Sequence, residues 1–341
     1  AVLGRGAAGA RRAARGDALL FEEVNAARDI VNEPGNVANP AGVARSFRRA
    51  GRRAGLSVEV WNRARLQRER CGGVLAVGGA SATPPQLVIG RYRPRRSGGE
   101  HLVLVGKGVT FDTGGYSLKP PQGMGAMKCD MGGAAAVFHA ACAIARLKLP
   151  LRVSAVTPLV ENAVGRGGYR PGDILRTRSG RTVQVDNTDA EGRLILADGL
   201  NVAADLKPTV VVDAATLTGA CVVALGTEIS AVYATEKRLA RRIVSAGEVW
   251  GEHFWEMPLY RPYGAGLKTP AADVRNISGD RWAGSIVAAL FLQHWAPERV
   301  PWAHLDIAGS AFSDKPVNHF GPGAQGFAVR TLVELARDLA G

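Results

Sequence analysis

His101-Leu102-Val103-Leu104-Val105-Gly106-Lys107-Gly108-Val109-Thr110-Phe111-Asp112-Thr113-Gly114-Gly115-Tyr116-Ser117-Leu118-Lys119-Pro120 changes character after Val105. Before that point it is an unbroken apolar run of strand length, the pattern of a strand buried on both faces. Beyond it come four glycines, two lysines and one aspartate. The same grammar recurs outward in both directions, with strand-like runs at 58–61, 87–92, 152–156, 210–214, 229–233 and 304–307. Helical patterns fill 18–30, 40–54, 133–147, 193–204, 236–248 and 328–339. Such alternation predicts an α/β fold, a mixed and largely parallel sheet with helices on both faces. Ligands of such sheets gather at the carboxyl ends of strands, which directs attention to the loops after Val105, Val185 and Val212.

The composition supports one large folded unit. Of 341 residues 46% are hydrophobic and 21% charged, enough to bury a core and too apolar for a disordered chain. No apolar run approaches the roughly 18 to 20 residues of a membrane span. Cys71, Cys129, Cys142 and Cys221 are far apart and form no CxxC pair, so they read as reduced core thiols. The net charge is +13, and residues 1–70 hold fourteen Arg, no Lys and seven acids. That excess keeps an anionic partner such as nucleic acid in view, but the arginines fall on helical faces without interleaved aromatics, as solvated surfaces do. Residues 1–17 form a basic Ala/Gly/Arg-rich segment without an initiator Met, an end that a trimmed propeptide, a trimmed targeting sequence or an artificial boundary would each leave, and residues 18–341 are expected to form the main domain. GRGAAG in that segment matches a dinucleotide fingerprint by letter, but no strand precedes it.

Chemistry-bearing residues concentrate in three loops. Lys107, Asp112 and Lys119 occupy the glycine-rich one, whose spacing is not that of a phosphate-binding loop because His101 stands where the opening glycine belongs. Asp130 lies in Met127-Lys128-Cys129-Asp130-Met131-Gly132-Gly133 just ahead of a small-residue helix, a position that by itself suits a helix cap. Asn187-Thr188-Asp189-Ala190-Glu191-Gly192-Arg193-Leu194 follows the run TVQV, and an extended backbone here projects Asp189 and Glu191 to one side. Carboxylates that close need cations, and Asp112, Asp130, Asp189 and Glu191 can supply the oxygen ligands of a paired-metal centre. His101, His139, His253, His294, His304 and His319 are scattered, HExxH is absent, and neither GxSxG nor SxxK occurs, so zinc-histidine and serine chemistry lack support. An acid-rich site without histidine favours Mn²⁺, Mg²⁺ or Zn²⁺.

These segments, GKGVTFDTGGYSLKP, MKCDMGGAA, ENAVGRGGYRPGD and NTDAEGRLILADGL in this order, resemble the leucyl aminopeptidase family of two-metal exopeptidases. DAATLTGA from Asp213, ADVRNISG from Ala272 and HLDIAGSAF from His304 extend the likeness over about residues 20–340. The resemblance implies a metal-dependent aminopeptidase that releases N-terminal residues, Leu- or Met-like, from peptides or dipeptides through a water shared by two divalent ions. One ion falls to Asp112, Asp189 and Glu191, the other to Lys107 as a neutral amine with Asp112, Asp130 and Glu191. Lys119 is expected to polarise the scissile carbonyl, and Arg193 to seat a bicarbonate that relays the proton. Met127, Asn187, Thr216, Leu217, Gly219 and Ala308 are expected to bind substrate. The likeness further implies a homo-oligomer, with a hexamer favoured, in the cytoplasm or, after trimming, an organelle matrix. The family's separate N-terminal α/β domain is expected to be missing, which weakens the alternative of a DNA-binding accessory with the same fold, and the intact ligand set with Lys119 and Arg193 argues against a catalytically silent structural subunit. Gln325 stands where threonine is common in the family.

Overall fold

The computed structural model describes residues 7–95, 98–317 and 320–341. In chain order the helices are α1 (Ala7–Asn32), α2 (Pro40–Ala54), α3 (Arg63–Arg68), α4 (Gly72–Val77), α5 (Pro121–Met124), α6 (Gly132–Arg146), α7 (Gly192–Asp205), α8 (Gly219–Leu225), α9 (Lys237–Glu248), α10 (Gly284–Gln293) and α11 (Val329–Ala340). The strands are β1 (Ser57–Trp61), β2 (Gln86–Tyr92), β3 (His101–Gly106), β4 (Gly108–Asp112), β5 (Arg152–Asn162), β6 (Ile174–Arg176), β7 (Thr182–Gln184), β8 (Val210–Ala215), β9 (Ile229–Ala234), β10 (His253–Glu256), β11 (Val274–Arg275) and β12 (Trp302–Asp306).

The main sheet runs β1-β2-β5-β3-β8-β12-β9-β10, with β4 paired to β5. Its centre, β5-β3-β8-β12, is parallel, and antiparallel pairings join β2 on one side and β9 on the other. The sheet is mixed and largely parallel, as the alternating runs predict. Period-two alternation sorts each central strand between two cores. Leu102 and Leu104 pack with α1, α2, α6, α9 and α11, whereas Val103 and Val105 pack with α4, α7 and α10. Every residue of β3 and β8 is buried, which is why both read as continuous apolar runs.

Local chemistry explains the helices. Asn39 accepts from Gly42 N at 2.9 Å to cap α2, Pro40 opens it, and Gly55 in the left-handed region (φ 91°) closes it. Val43, Phe47, Ala50 and Ala54 face the core while Arg45, Arg48, Arg49, Arg52 and Arg53 are exposed, so the basic stripe is a solvated face. The alanine-rich α6 lies flat on the sheet because small residues permit close approach; a Cβ on Gly133 would stand 2.1 Å from the Ala214 oxygen. Helix α1 starts at Ala7, eleven residues before the apolar stripe that signalled it. Ala and Arg are strong helix formers that continue a helix without a buried face. Residues 1–6 of the basic segment lie outside the described residues, as does His319.

Candidate active site

Backbone pairing builds the site at the carboxyl ends of the parallel strands. Lys107 N donates to Ala214 O at 3.1 Å and Lys107 O accepts from Ala134 N at 2.8 Å, so the residue is pinned from β8 and from α6. Its buried ammonium contacts Asp130 Oδ1 at 2.7 Å, Glu191 Oε1 at 2.9 Å and Thr216 O at 2.8 Å. Burial alone favours the neutral amine, but Asp130, Glu191 and Asp112 outweigh it and hold the group above its ordinary pKa. Gly192 lies against this side chain; a Cβ there would meet Lys107 Cε at 2.5 Å.

Asp112 ends a strand rather than standing in a loop. β4 has no periodic signature of its own and forms because the eleven-residue β5 offers an edge beyond the end of β3. A bulge between Val109 and Phe111 brings Asp112 opposite Asn162, whose Nδ2 donates to Asp112 Oδ1 at 2.8 Å. The following segment turns through Gly114 (φ 85°) and Gly115 (φ 63°) and returns Lys119 to the site. Lys119 Nζ bridges Asp112 Oδ2 at 2.8 Å and Asp189 Oδ1 at 2.6 Å. Against the opposing effect of burial, those two carboxylates raise its pKa.

The Asp189 and Glu191 carboxylates converge through a turn, not through the extended backbone expected from their spacing. Asp189 N donates to Asn187 Oδ1 at 2.7 Å, and Glu191 is already helical at the start of α7 (φ −77°, ψ −35°). Moreover TVQV does not belong to the main sheet: β7 lies in a separate three-stranded sheet ordered β11-β7-β6. Carboxylate oxygens of Asp112, Asp189 and Glu191 nonetheless lie within 4.8 Å of one another. Asp130 does not cap α6, which has Met131 at its cap and no side-chain cap bond; it accepts instead from Lys107 and from Thr216 Oγ1 at 2.8 Å. Burial pushes Asp130, Asp189 and Glu191 above the usual carboxylate range. Four acids against two ammonium groups leave an excess of negative charge. Asp130 Oδ2 and Glu191 Oε2 are buried acceptors without a donor. Unpartnered carboxylate oxygens in so acidic a cluster fit hard divalent cations.

Arg193 is buried, and its Nη1 donates to Asn276 O at 2.5 Å while its Nε has no partner. Burial lowers its pKa to about 10. Thr216 and Leu217 follow β8 and Ala308 follows β12, so three of the expected substrate residues share one rim. Met127 lies on the short turn Gly125–Met131 beside Asp130, Gly219 opens α8, and Asn187 shapes the Asp189 turn. The sequence reading passed over Asp306, a buried acid whose Oδ1 accepts from Leu217 N at 3.2 Å and Ala308 N at 3.3 Å, fixing two walls of that rim. Its signal was an acid inside an apolar strand. Also passed over was Thr188, whose hydroxyl donates to Gly114 O at 2.6 Å and accepts from Ser117 N at 2.7 Å, joining the two acidic loops. The four cysteines are free thiols, three of them buried.

Fold and site together define an α/β catalytic domain with an acid-rich, two-lysine centre at the ends of its parallel strands. The chain belongs to the cytosol aminopeptidase family: residues 25–333 match the profile "Cytosol aminopeptidase family, catalytic domain". It is 46% identical over 316 residues to a probable cytosol aminopeptidase of Rhodopirellula baltica, an alignment covering 92% of this chain and 62% of that protein. It is 49% identical over 309 residues to the one of Syntrophotalea carbinolica, covering 91% and 62%. The chain thus spans a little under two thirds of the length of these relatives. Among solved structures, "Bottromycin maturation enzyme BotP in complex with Mn" superposes with a TM-score of 0.93 at 44% identity, over 97% of this chain and 73% of that one. Among the described residues no helix is long and apolar enough to cross a membrane.

Proposed function

We propose that the chain is a metal-dependent aminopeptidase that removes the N-terminal residue of peptides or dipeptides. The observation that carries this reading is the ring of Asp112, Asp130 and Glu191, all buried, and the partly exposed Asp189, laced by Lys107 and Lys119. Asp112, Asp189 and Glu191 would hold one divalent ion. Asp112, Asp130, Glu191 and Lys107, the last as an amine once its proton has left, would hold the other. When bound, the pair supplies Lewis acidity and lowers the pKa of a shared water. Mn²⁺ and Zn²⁺ are the favoured ions, and the Mn complex of a structural relative supports the first.

The chain's own groups account for orientation and charge. Lys119 is about a fifth exposed and kept cationic by two carboxylates, so it is placed to receive a carbonyl oxygen as that oxygen gains charge. Asp130 Oδ2 is a free acceptor for the substrate's α-amine. The rim of Met127, Thr216, Leu217, Gly219 and Ala308 offers a mostly apolar seat for the first side chain, suited to Leu or Met. Arg193, too basic to act as a general base, offers an unpartnered buried Nε and a planar fork to a bicarbonate-like anion.

The test is a leucine anilide and its N-acetylated form, assayed with Mn²⁺ at one enzyme concentration. The free-amine substrate is expected to be cleaved and the acetylated one to be inert, because acetylation removes a metal ligand and adds bulk where the amine is read. Comparable cleavage of both would overturn the exopeptidase reading.

A further inference from the structure

Asn276 is fully buried, carries no charge and lies outside the ring of acids, yet the backbone entering the Asp189 turn and the Arg193 guanidinium both converge on it. Its Oδ1 accepts from Asp186 N at 2.8 Å and from Asn187 N at 3.3 Å, and its Nδ2 donates to Asn187 O at 2.6 Å. Its own carbonyl oxygen receives Arg193 Nη1 at 2.5 Å. One residue therefore holds the entry to the Asp189 turn through its side chain and the Arg193 guanidinium through its main chain.

The surrounding structure explains how this position is fixed. β11 pairs in parallel with β7, Val274 opposite Val183 and Arg275 opposite Gln184, and Asn276 N adds a bond to Gln184 O at 2.9 Å. Asp273 accepts from Thr182 N at 2.7 Å, and Arg275 pairs with Asp186 at 3.3 Å. The segment 273–276 is thus laced along the strand that leads into the acidic turn, and Asn276 is its last rung. On the far side of the turn Thr188 O accepts from Tyr169 Oη at 2.7 Å and Asn162 Nδ2 at 3.0 Å. Asn187 and Thr188 are clamped from two directions, and the next residue, Asp189, is a third exposed and joined to the site through Lys119. Asn276 thus anchors the Asn187 side of the turn as Tyr169 and Asn162 anchor the Thr188 side.

We propose that Asn276 is a positioning residue for the reaction, one that sets the Asp189 carboxylate and the Arg193 guanidinium at a fixed spacing through a single side chain and its carbonyl. This rests on the two-metal reading above. An amide suits the task and a charged group does not: it supplies an acceptor for two N–H groups and a donor for one carbonyl in one plane, all in a dry site. Asn276→Ala removes all three side-chain bonds. Asn276→Asp keeps the shape and the acceptors but sets a carboxylate oxygen against Asn187 O.

The experiment measures Mn²⁺ binding by calorimetric titration of wild type, N276A and N276D, together with kcat and KM on a leucine anilide and the thermal midpoint of each metal-free protein. Loss of partners just outside a metal's ligands typically lowers metal affinity or activity by roughly 10- to 100-fold. A loss of that size in Mn²⁺ affinity is expected for both variants, with kcat reduced at saturating Mn²⁺ and KM little changed. A variant that folds, binds Mn²⁺ as wild type does and keeps its kcat overturns the proposal, even if its thermal midpoint falls, because Asn276 is then only a brace. Should N276A fail to fold, N276D decides; should neither fold, Asn276 is a folding residue and the proposal is overturned. Wild-type protein that takes up no Mn²⁺ overturns the two-metal reading first and this inference with it, an outcome distinct from a difference between variants.

Discussion

At the scale of single residues, the two lysines have different duties, and their surroundings separate them. Lys107 is enclosed by Asp130, Glu191 and the Thr216 carbonyl, whereas Lys119 is partly open to an incoming group. Lys119→Ala should lower kcat by roughly two to three orders of magnitude and leave KM nearly unchanged, since its contact strengthens only as the carbonyl oxygen becomes anionic. Steady-state kinetics check this, and a pure KM effect would assign Lys119 to ground-state binding. Gly192 provides a subtler probe. A methyl group at this position would stand 2.5 Å from Lys107 Cε and 2.9 Å from its Nζ, so Gly192→Ala must shift the end of that side chain and perturb the amine's contacts with Asp130 and Glu191. Loss of the ion assigned to Lys107 before the one assigned to Asp189 is the expected result in a metal titration. Asp189→Asn should reverse that order, and equal loss at both sites in either variant would mean the partition of ligands is wrong.

At the scale of elements, what pins α1 to α6 is electrostatic as well as apolar. Glu23 on α1 accepts from His139 at 2.8 Å and from Arg146 at 2.6 Å, both on α6, while Leu20, Val24 and Ala27 fill the seam. Burial works against the Glu23 carboxylate, but its contacts with His139 and Arg146 prevail and its pKa falls below the ordinary 4.5. A carboxyl with a lowered folded pKa contributes stability that is complete above its unfolded pKa and is lost as pH falls through the folded one. Glu23→Gln should therefore cost roughly 1 to 3 kcal/mol at pH 7, a difference that denaturant melts should show shrinking below pH 4. A constant difference across that range would remove charge from the explanation. The central strands, α2, α6, α7 and α11 were legible because burial on one or two faces prints a period in the sequence. The acidic ring was legible because charges in glycine-rich loops after strands are costly without a purpose. β4 was not, since Gly108, Thr110 and Asp112 interrupt its apolar pattern and the edge of β5 imposes its extension. The run that forms β7 was legible as TVQV, but its partners β6 and β11 and Asn276 were hidden: two- and three-residue strands carry no period, and a neutral amide reveals its role only through tertiary partners.

At the scale of the whole molecule, the surface carries two opposing features that association would reconcile. A net charge of +13 drives copies apart, yet Trp282 is 71% exposed, Trp255 62% and Val223 90%. With Tyr260 and Tyr263 they ride on α8, β10, the turn Arg261–Leu267 and the approach to α10, elements that pack on one another or on β9. Scattered exposed apolar residues are ordinary, so a contact surface is expected only where several large ones fall on adjoining elements, as these do. We therefore expect a homo-oligomer, with a hexamer favoured, assembled through this aromatic face against the repulsion of its charges. Salt distinguishes that mechanism from its opposite. Screening shortens to about 8 Å at physiological ionic strength, which weakens repulsion between like-charged chains and leaves apolar burial intact. Light scattering should then report a larger assembly at about 0.15 M salt than at about 0.01 M, and Trp282→Asp with Trp255→Glu should shift it toward the single chain without altering Mn²⁺ binding. Dissociation on adding salt would mean that ion pairs between copies hold the assembly, and a monodisperse single chain at both ionic strengths would show that the aromatic face has another use.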